Sequence, residues 1–148
     1  MTIANPPALA VGGSAIGWRG RMVAYWVATV FIAGTSAVAG AMDILRIQPL
    51  FGILLHLGFP AYFSTILGLW KILGALALIA PRLPRVKEWA YAGFFFDFSS
   101  ATASHLVVGD GASALVGPVM SIVLLFVSWA LRPLSRKLAA SVAEGNGR

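Results

Sequence analysis

The chain contains no cysteine. That absence removes disulfide frameworks, dithiol redox motifs, thiolate metal sites and cysteine nucleophiles together. Charge is scarce as well: 11% of residues are charged, and only five are acidic. A soluble domain carries roughly 25% charged residues. Histidine occurs twice, and without a clustered ligand set it points to no metal site. The chain also lacks a nucleophile–base triad, a phosphate loop and a dinucleotide fingerprint. Gly109-Asp110-Gly111 reads as a turn, and Gly12-Gly13 as part of a tail.

What the sequence has in excess is apolar side chains, 59% of 148 residues. A soluble domain of this size buries only about 70% of its unfolded surface. It could not hide so many, so the solvent they imply is a lipid bilayer. The first 17 residues hold no Lys or Arg, and their apolar stretch is too short for a secretory signal. Residues 1–21 are read as a flexible cytoplasmic tail, 22–137 as a membrane domain and 138–148 as a second cytoplasmic tail.

Four apolar runs, about 22–42, 61–80, 89–107 and 113–131, have the roughly 20 residues needed to cross the hydrocarbon core. In lipid each must be helical, because backbone polar groups find partners only within the segment. The fold class expected is therefore all-α, an integral membrane four-helix bundle. Arg19, Arg21, Arg82, Arg85, Lys87, Arg132, Arg136, Lys137 and Arg148 fall on one side of these spans, and only Arg46 on the other. Basic loops stay cytoplasmic, which puts both termini inside. The net charge of +6 is thereby explained without nucleic acid, for which no basic stripe interleaved with aromatics is present. Tyr25, Trp26, Trp89, Tyr91 and Trp129 lie near the expected inner boundary, where amphipathic rings settle. The apolar stretch 44–60 is long for a loop, and its portion Leu50–Leu57 is expected to lie in the outer interface or dip back into the protein.

Helices in lipid associate through small and polar residues. Thr29, Ala33, Ser36, Gly40 and Asp43 recur at helical spacing in the first span, and Ser64, Gly68, Lys71, Ala75 and Leu78 in the second. Ala90, Gly93, Asp97, Ala101 and Ser104 do so in the third, and Gly117, Ser121, Leu124 and Ser128 in the fourth. Lys71 lies ten residues before Pro81, and Asp97 ten after Lys87, so each sits about 15 Å from the inner surface. A charge at that depth costs about 2.5–3.5 kcal/mol on insertion scales. The two are expected to form an ion pair or share a polar pocket, as a lock on helix register or as a ligand or proton site. Asp43, His105 and His56 form a candidate outer cluster able to relay protons or hold a polar ligand; the bland alternative is a histidine bonded to a carbonyl or carboxylate. Glu88 and Trp89 form a candidate site at the inner edge. There Glu88 suits the positive end of a helix and can pair with Arg82 or Arg85.

The segment Leu57-Gly58-Phe59-Pro60-Ala61-Tyr62-Phe63 is followed by Ile66-Leu67-Gly68-Leu69-Trp70-Lys71-Ile72-Leu73-Gly74-Ala75 and, after Pro81, by Lys87-Glu88-Trp89-Ala90-Tyr91-Ala92-Gly93-Phe94 and Ala103-Ser104-His105. Together these runs resemble the DoxX-like family of small bacterial membrane proteins, over roughly residues 22–137. The resemblance implies a four-span bundle in a bacterial cytoplasmic (inner) membrane. It implies no catalytic residue, although the broader family takes its name from a subunit of a quinone-linked thiosulfate oxidoreductase. Three functions fit: a quinone-associated accessory subunit serving redox partner proteins, a non-catalytic membrane scaffold or assembly factor, and a small proton-coupled transporter, for which four short spans would require a homo-oligomer. A stand-alone enzyme is not the expectation, and quinone is the one cofactor suggested.

Overall fold

The computed structural model describes residues 17–133 and Arg136. Among them are five helices and no strand: α1 (Trp18–Leu45), α2 (Leu50–His56), α3 (Ala61–Ile79), α4 (Pro84–Val108) and α5 (Ala112–Leu131). The class is all-α. The helix starting at Trp18 corrects the expected tail 1–21 at its end; residues 1–16, and the expected tail 138–148, lie outside the described residues.

Helix ends follow local chemistry. Arg46 takes a left-handed conformation (φ 54°) and donates its N–H to the Asp43 carbonyl, closing α1. Pro60 precedes α3, and Pro81 follows its last turn. Pro84 opens α4, where its missing N–H leaves no bond unmade. Gly109, at φ 80°, ends α4 by donating to Leu106, while Asp110 N–H reaches back to the His105 carbonyl.

Three helices, α1, α3 and α5, are long and apolar enough to cross a membrane. The third expected span, now α4, has the length, but Asp97, His105 and the hydroxyls of Ser99, Ser100 and Thr102 dilute its apolar surface, and it is not one of the three. The stretch 44–60 holds α2, which touches α1 and α3 and buries Leu54. It folds back against the protein rather than standing away from it.

α1 packs on α3 and α5, and α4 on α5 and α3. Their shared core includes Ile32, Ala75, Leu78, Tyr91, Phe94 and Leu125. Large apolar side chains such as Val23, Phe31, Leu69 and Val123 point outward, the arrangement of a protein whose outer solvent is lipid. All five small and polar residues of the first stripe are buried, as are Ser64, Gly68, Ala75 and Leu78 of the second. In the third stripe only Ala90 is buried, because that face lines a cavity described below.

The tightest seam joins α1 to α3. A Cβ placed on Gly40 would lie 2.7 Å from the Gly68 carbonyl oxygen, and one on Gly68 would press on the Gly40 carbonyl. Buried hydroxyls tie further helices together. Ser128 Oγ of α5 bonds Thr29 Oγ1 of α1 at 2.7 Å and the Tyr91 hydroxyl of α4 at 2.8 Å. Thr29 also returns a bond to the Tyr25 carbonyl.

The basic clusters meet at one end. Lys87 Nζ donates to the carbonyls of Ala77 (2.9 Å) and Leu78 (2.6 Å), satisfying the last turn of α3. Arg136 also reaches Leu78 and stacks on Tyr25 and Trp26 of α1. Arg132 bonds Glu88.

A side chain forced into the α1–α3 seam must separate the two backbones. Gly40→Ile is expected to destabilise the protein by about 1–3 kcal/mol, whereas Gly93→Ala, at a site with nothing within 4 Å, is expected to be neutral or mildly stabilising. Reversible unfolding in mixed detergent micelles measures both.

Candidate functional site

A cavity of about 1340 Å³ lies between α3 and α4, with α2 and the first turns of α5 at one end. It exceeds the usual small-molecule pocket of roughly 300–1,000 Å³, as befits a cleft open at its side. Its walls are greasy: Phe59, Phe63, Trp70, Trp89, Phe94 and Phe96 all contribute. Trp70 and Trp89 are 68% and 80% exposed, so their rings are available to anything entering. Four ionisable side chains reach this apolar volume, namely Asp43, Lys71, Asp97 and His105.

Lys71 and Asp97 were expected to form an ion pair or to share a polar pocket. Both line the cavity, but the ion pair of Lys71 is with another carboxylate: its Nζ donates to Asp43 Oδ2 at 2.9 Å. The glycine seam allows it: with α1 and α3 so close, Asp43 lies against Gly68 and Lys71 against Gly40, and the long lysine side chain spans the crossing to the carboxylate. The Asp43 side chain is 3% exposed and Lys71 17%, and the Ser64 hydroxyl bonds the Asp43 carbonyl. Asp97 and Lys71 share the cavity without a hydrogen bond between them. Asp97 Oδ2 is the one buried side-chain polar atom among the described residues that has no partner.

The outer cluster also departs from expectation. Asp43 belongs to the Lys71 pair, and Asp110 takes its place. Asp110 accepts from His105 Nδ1 at 2.6 Å and from His56 Nε2 at 2.8 Å, so one carboxylate ties α2 to the end of α4. Asp110 is the site residue that reading the turn Gly109–Gly111 missed. Its signal was available: it stands five residues past His105, and a left-handed glycine between them folds the chain back. Hydrogen bonds from His105 first, then His56, hold the Asp110 carboxyl below the ordinary carboxylate range. Among the described residues no group of three or more His, Asp or Glu side chains is placed to hold a metal ion.

At the edge expected to be the inner one, Glu88 pairs with Arg132 Nη1 at 2.5 Å, not with Arg82 or Arg85. Arg132 sits over the rings of Tyr91 and Trp129 and bonds the Trp129 carbonyl. Planar stacking plus a carboxylate suits guanidinium. Glu88 and Trp89 therefore part company: Glu88 joins α4 to α5, and Trp89 turns to the cavity. Chemically, the cleft offers two spare N–H donors on Lys71, which uses one of its three on Asp43, and one buried carboxyl oxygen with nothing bonded to it.

Removing Lys71 alone strands the Asp43 carboxylate. Lys71→Met is expected to cost about 3–5 kcal/mol, with Asp43→Asn added to it restoring a large part. A double-mutant cycle read by detergent unfolding checks the coupling, and additive losses would mean none. Asp110 has a lowered folded-state pKa, so its stabilisation is complete above the unfolded value of about 3.9 and disappears as pH falls through the lower folded value. Asp110→Asn is expected to flatten the acid limb of a plot of melting temperature against pH between 6 and 2.

No curated protein matches the chain, and no solved structure does. The model of the DoxX-like family matches residues 27–131, well over half of the chain. That range runs from within α1 to the end of α5 and includes every residue lining the cavity. With its apolar helices facing outward and its motif runs inside the matched range, the chain is a helical membrane protein that belongs to the DoxX-like family.

Proposed function

We propose that this protein spans the bacterial cytoplasmic membrane four times, with both termini inside, and receives the ring of an isoprenoid quinone in its lateral cleft as the accessory subunit of a redox partner. The observation that carries the reading is the cavity between α3 and α4, apolar and aromatic along its walls with Lys71 and Asp97 within. A quinone ring is flat, apolar on its faces and polar only at its carbonyls, and its tail keeps it in the bilayer. Such a ring stacks on Trp and Phe faces, and a carbonyl takes a hydrogen bond from one of the two spare N–H groups of Lys71. A scaffold held together only by small-residue stripes has no need of so large a cleft, nor of a carboxyl left unbonded inside it.

Four spans require α4 to cross as well. Its 25 residues extend about 37 Å, more than the hydrocarbon core of about 30 Å. It packs on α3 and α5, and its polar groups are turned inward or to the cleft: Tyr91 to Ser128, Asp97 and His105 to the cavity. Arg19, Arg21, Arg82 and Arg85 are exposed at the connections read as cytoplasmic, and Arg46 is exposed at the opposite one, consistent with basic loops inside. Lys137 and Arg148 lie outside the described residues.

The test uses the purified chain in nanodiscs and decylubiquinone. Binding is expected to quench tryptophan emission through Trp70 and Trp89, and Lys71→Met is expected to weaken it about tenfold, the worth of one charge-assisted hydrogen bond. Quenching no different from that of a filled-cleft variant carrying Gly93→Phe, at a lining position with open space beside it, would reject a quinone ligand.

A further inference from the structure

The cleft contains one feature that a docked quinone alone does not explain. Asp97 Oδ2 is buried and bonded to nothing, while the cation nearest to hand, Lys71, is already paired with Asp43. A buried polar atom without a partner is costly, and more so if charged. A carboxyl group can meet that need in two ways. With its proton it donates one hydrogen bond; without it, it only accepts.

The two redox forms of the ligand are complementary to these two states. A quinone presents only carbonyl acceptors, and so bonds Asp97 when Asp97 is protonated. A hydroquinone presents hydroxyl donors, and so bonds Asp97 when Asp97 is ionised, while its oxygen lone pairs still accept from Lys71. We propose that Asp97 is a redox-linked proton site: the oxidised ligand binds with a proton on Asp97, and the reduced ligand binds with Asp97 deprotonated. This rests on the quinone reading of the cleft and adds the residue that senses the redox state. Binding itself makes and breaks no covalent bond other than that of the one exchanged proton, which enters from or leaves to bulk water.

The surroundings leave Asp97 as the group to titrate with the ligand. Across the cavity it faces Lys71 on α3 and Asp43 on α1, which satisfy each other at 2.9 Å. His105 stands two turns along α4 and donates to Asp110, as does His56 from α2. Helix α5 has no titratable side chain between Ala112 and Leu131.

By linkage, the two ligand forms must then respond oppositely to pH, each by up to about tenfold per unit. The experiment measures dissociation constants of decylubiquinone and, under argon, of decylubiquinol, in phosphatidylcholine nanodiscs from pH 5.5 to 8.5. The quinone is expected to bind more tightly as pH falls and the quinol as pH rises, so that the ratio of the two constants changes by at least about tenfold over the range. Asp97→Asn, whose amide cannot titrate, is expected to make both dissociation constants flat with pH; Asp97→Glu is expected to keep both slopes. Parallel slopes in the wild-type protein, or opposed slopes that survive in Asp97→Asn, overturn the proposal while leaving the quinone site standing. Absence of binding by both forms at every pH overturns the site and the proposal together. If Asp97→Asn fails to fold, the wild-type slopes and the Asp97→Glu variant still decide.

Discussion

The backbone contact between Gly40 and Gly68 fixes the spacing on which the interior depends. Lipid gives apolar faces no reason to prefer each other over acyl chains, so helices in it are held by close packing and by polar bonds. Two glycines at a crossing supply the first and make the second possible. Because α1 and α3 meet there without side chains between them, Asp43 and Lys71 come within one hydrogen bond of each other, and Ser64 can reach the Asp43 carbonyl. The pair neutralises two charges that lipid would otherwise penalise. It also directs Lys71 to Asp43 and leaves Asp97 Oδ2 without a partner, and the cleft's chemistry follows from that.

The α3–α4 side is tied at its ends and open along its flank. At one end Lys87, Arg136 and the Glu88–Arg132 pair draw α3, α4 and α5 together. At the other, Asp110 gathers His56 and His105. In between, Gly74 lies against the Phe94 ring, but the third stripe of small residues, Gly93 and Ala101 among them, faces the cavity instead of a neighbouring helix. A small-residue stripe is glue where a backbone meets it, as on α1 and α3, and a wall where none does, as on α4.

Much of this was legible in the sequence. Hydropathy and prolines placed α3 and α5 to within a residue or two, because Pro81 and the Gly-Asp-Gly turn are local stop signals. The stripe on α1 proved buried throughout, because helical period and burial in a packed bundle are the same information. Partners were harder to read. Depth along a helix put Lys71 level with Asp97, but which of two carboxylates it meets is set by how closely each helix approaches, and that depended on the pairing of Gly40 with Gly68. Glu88 found Arg132, forty-four residues away, over the nearer Arg82 and Arg85, because aromatic rings on α4 and α5 hold the guanidinium in place. Asp110 was hidden by its setting, since a carboxylate between two glycines looks like a turn until His56 and His105 are brought to it.

The bond from Lys87 to the end of α3 has a practical side. Both lysines among the described residues are engaged, Lys71 with a carboxylate and Lys87 with two carbonyls, and Lys87 is 1% exposed. Amine-reactive reagents, the customary means of mapping which loops face which compartment, therefore find little to label in the segment joining α3 to α4, whichever side it faces. Its accessible chemistry is that of guanidinium: Arg82 and Arg85, both exposed, are where dicarbonyl reagents would report the sidedness that amines conceal.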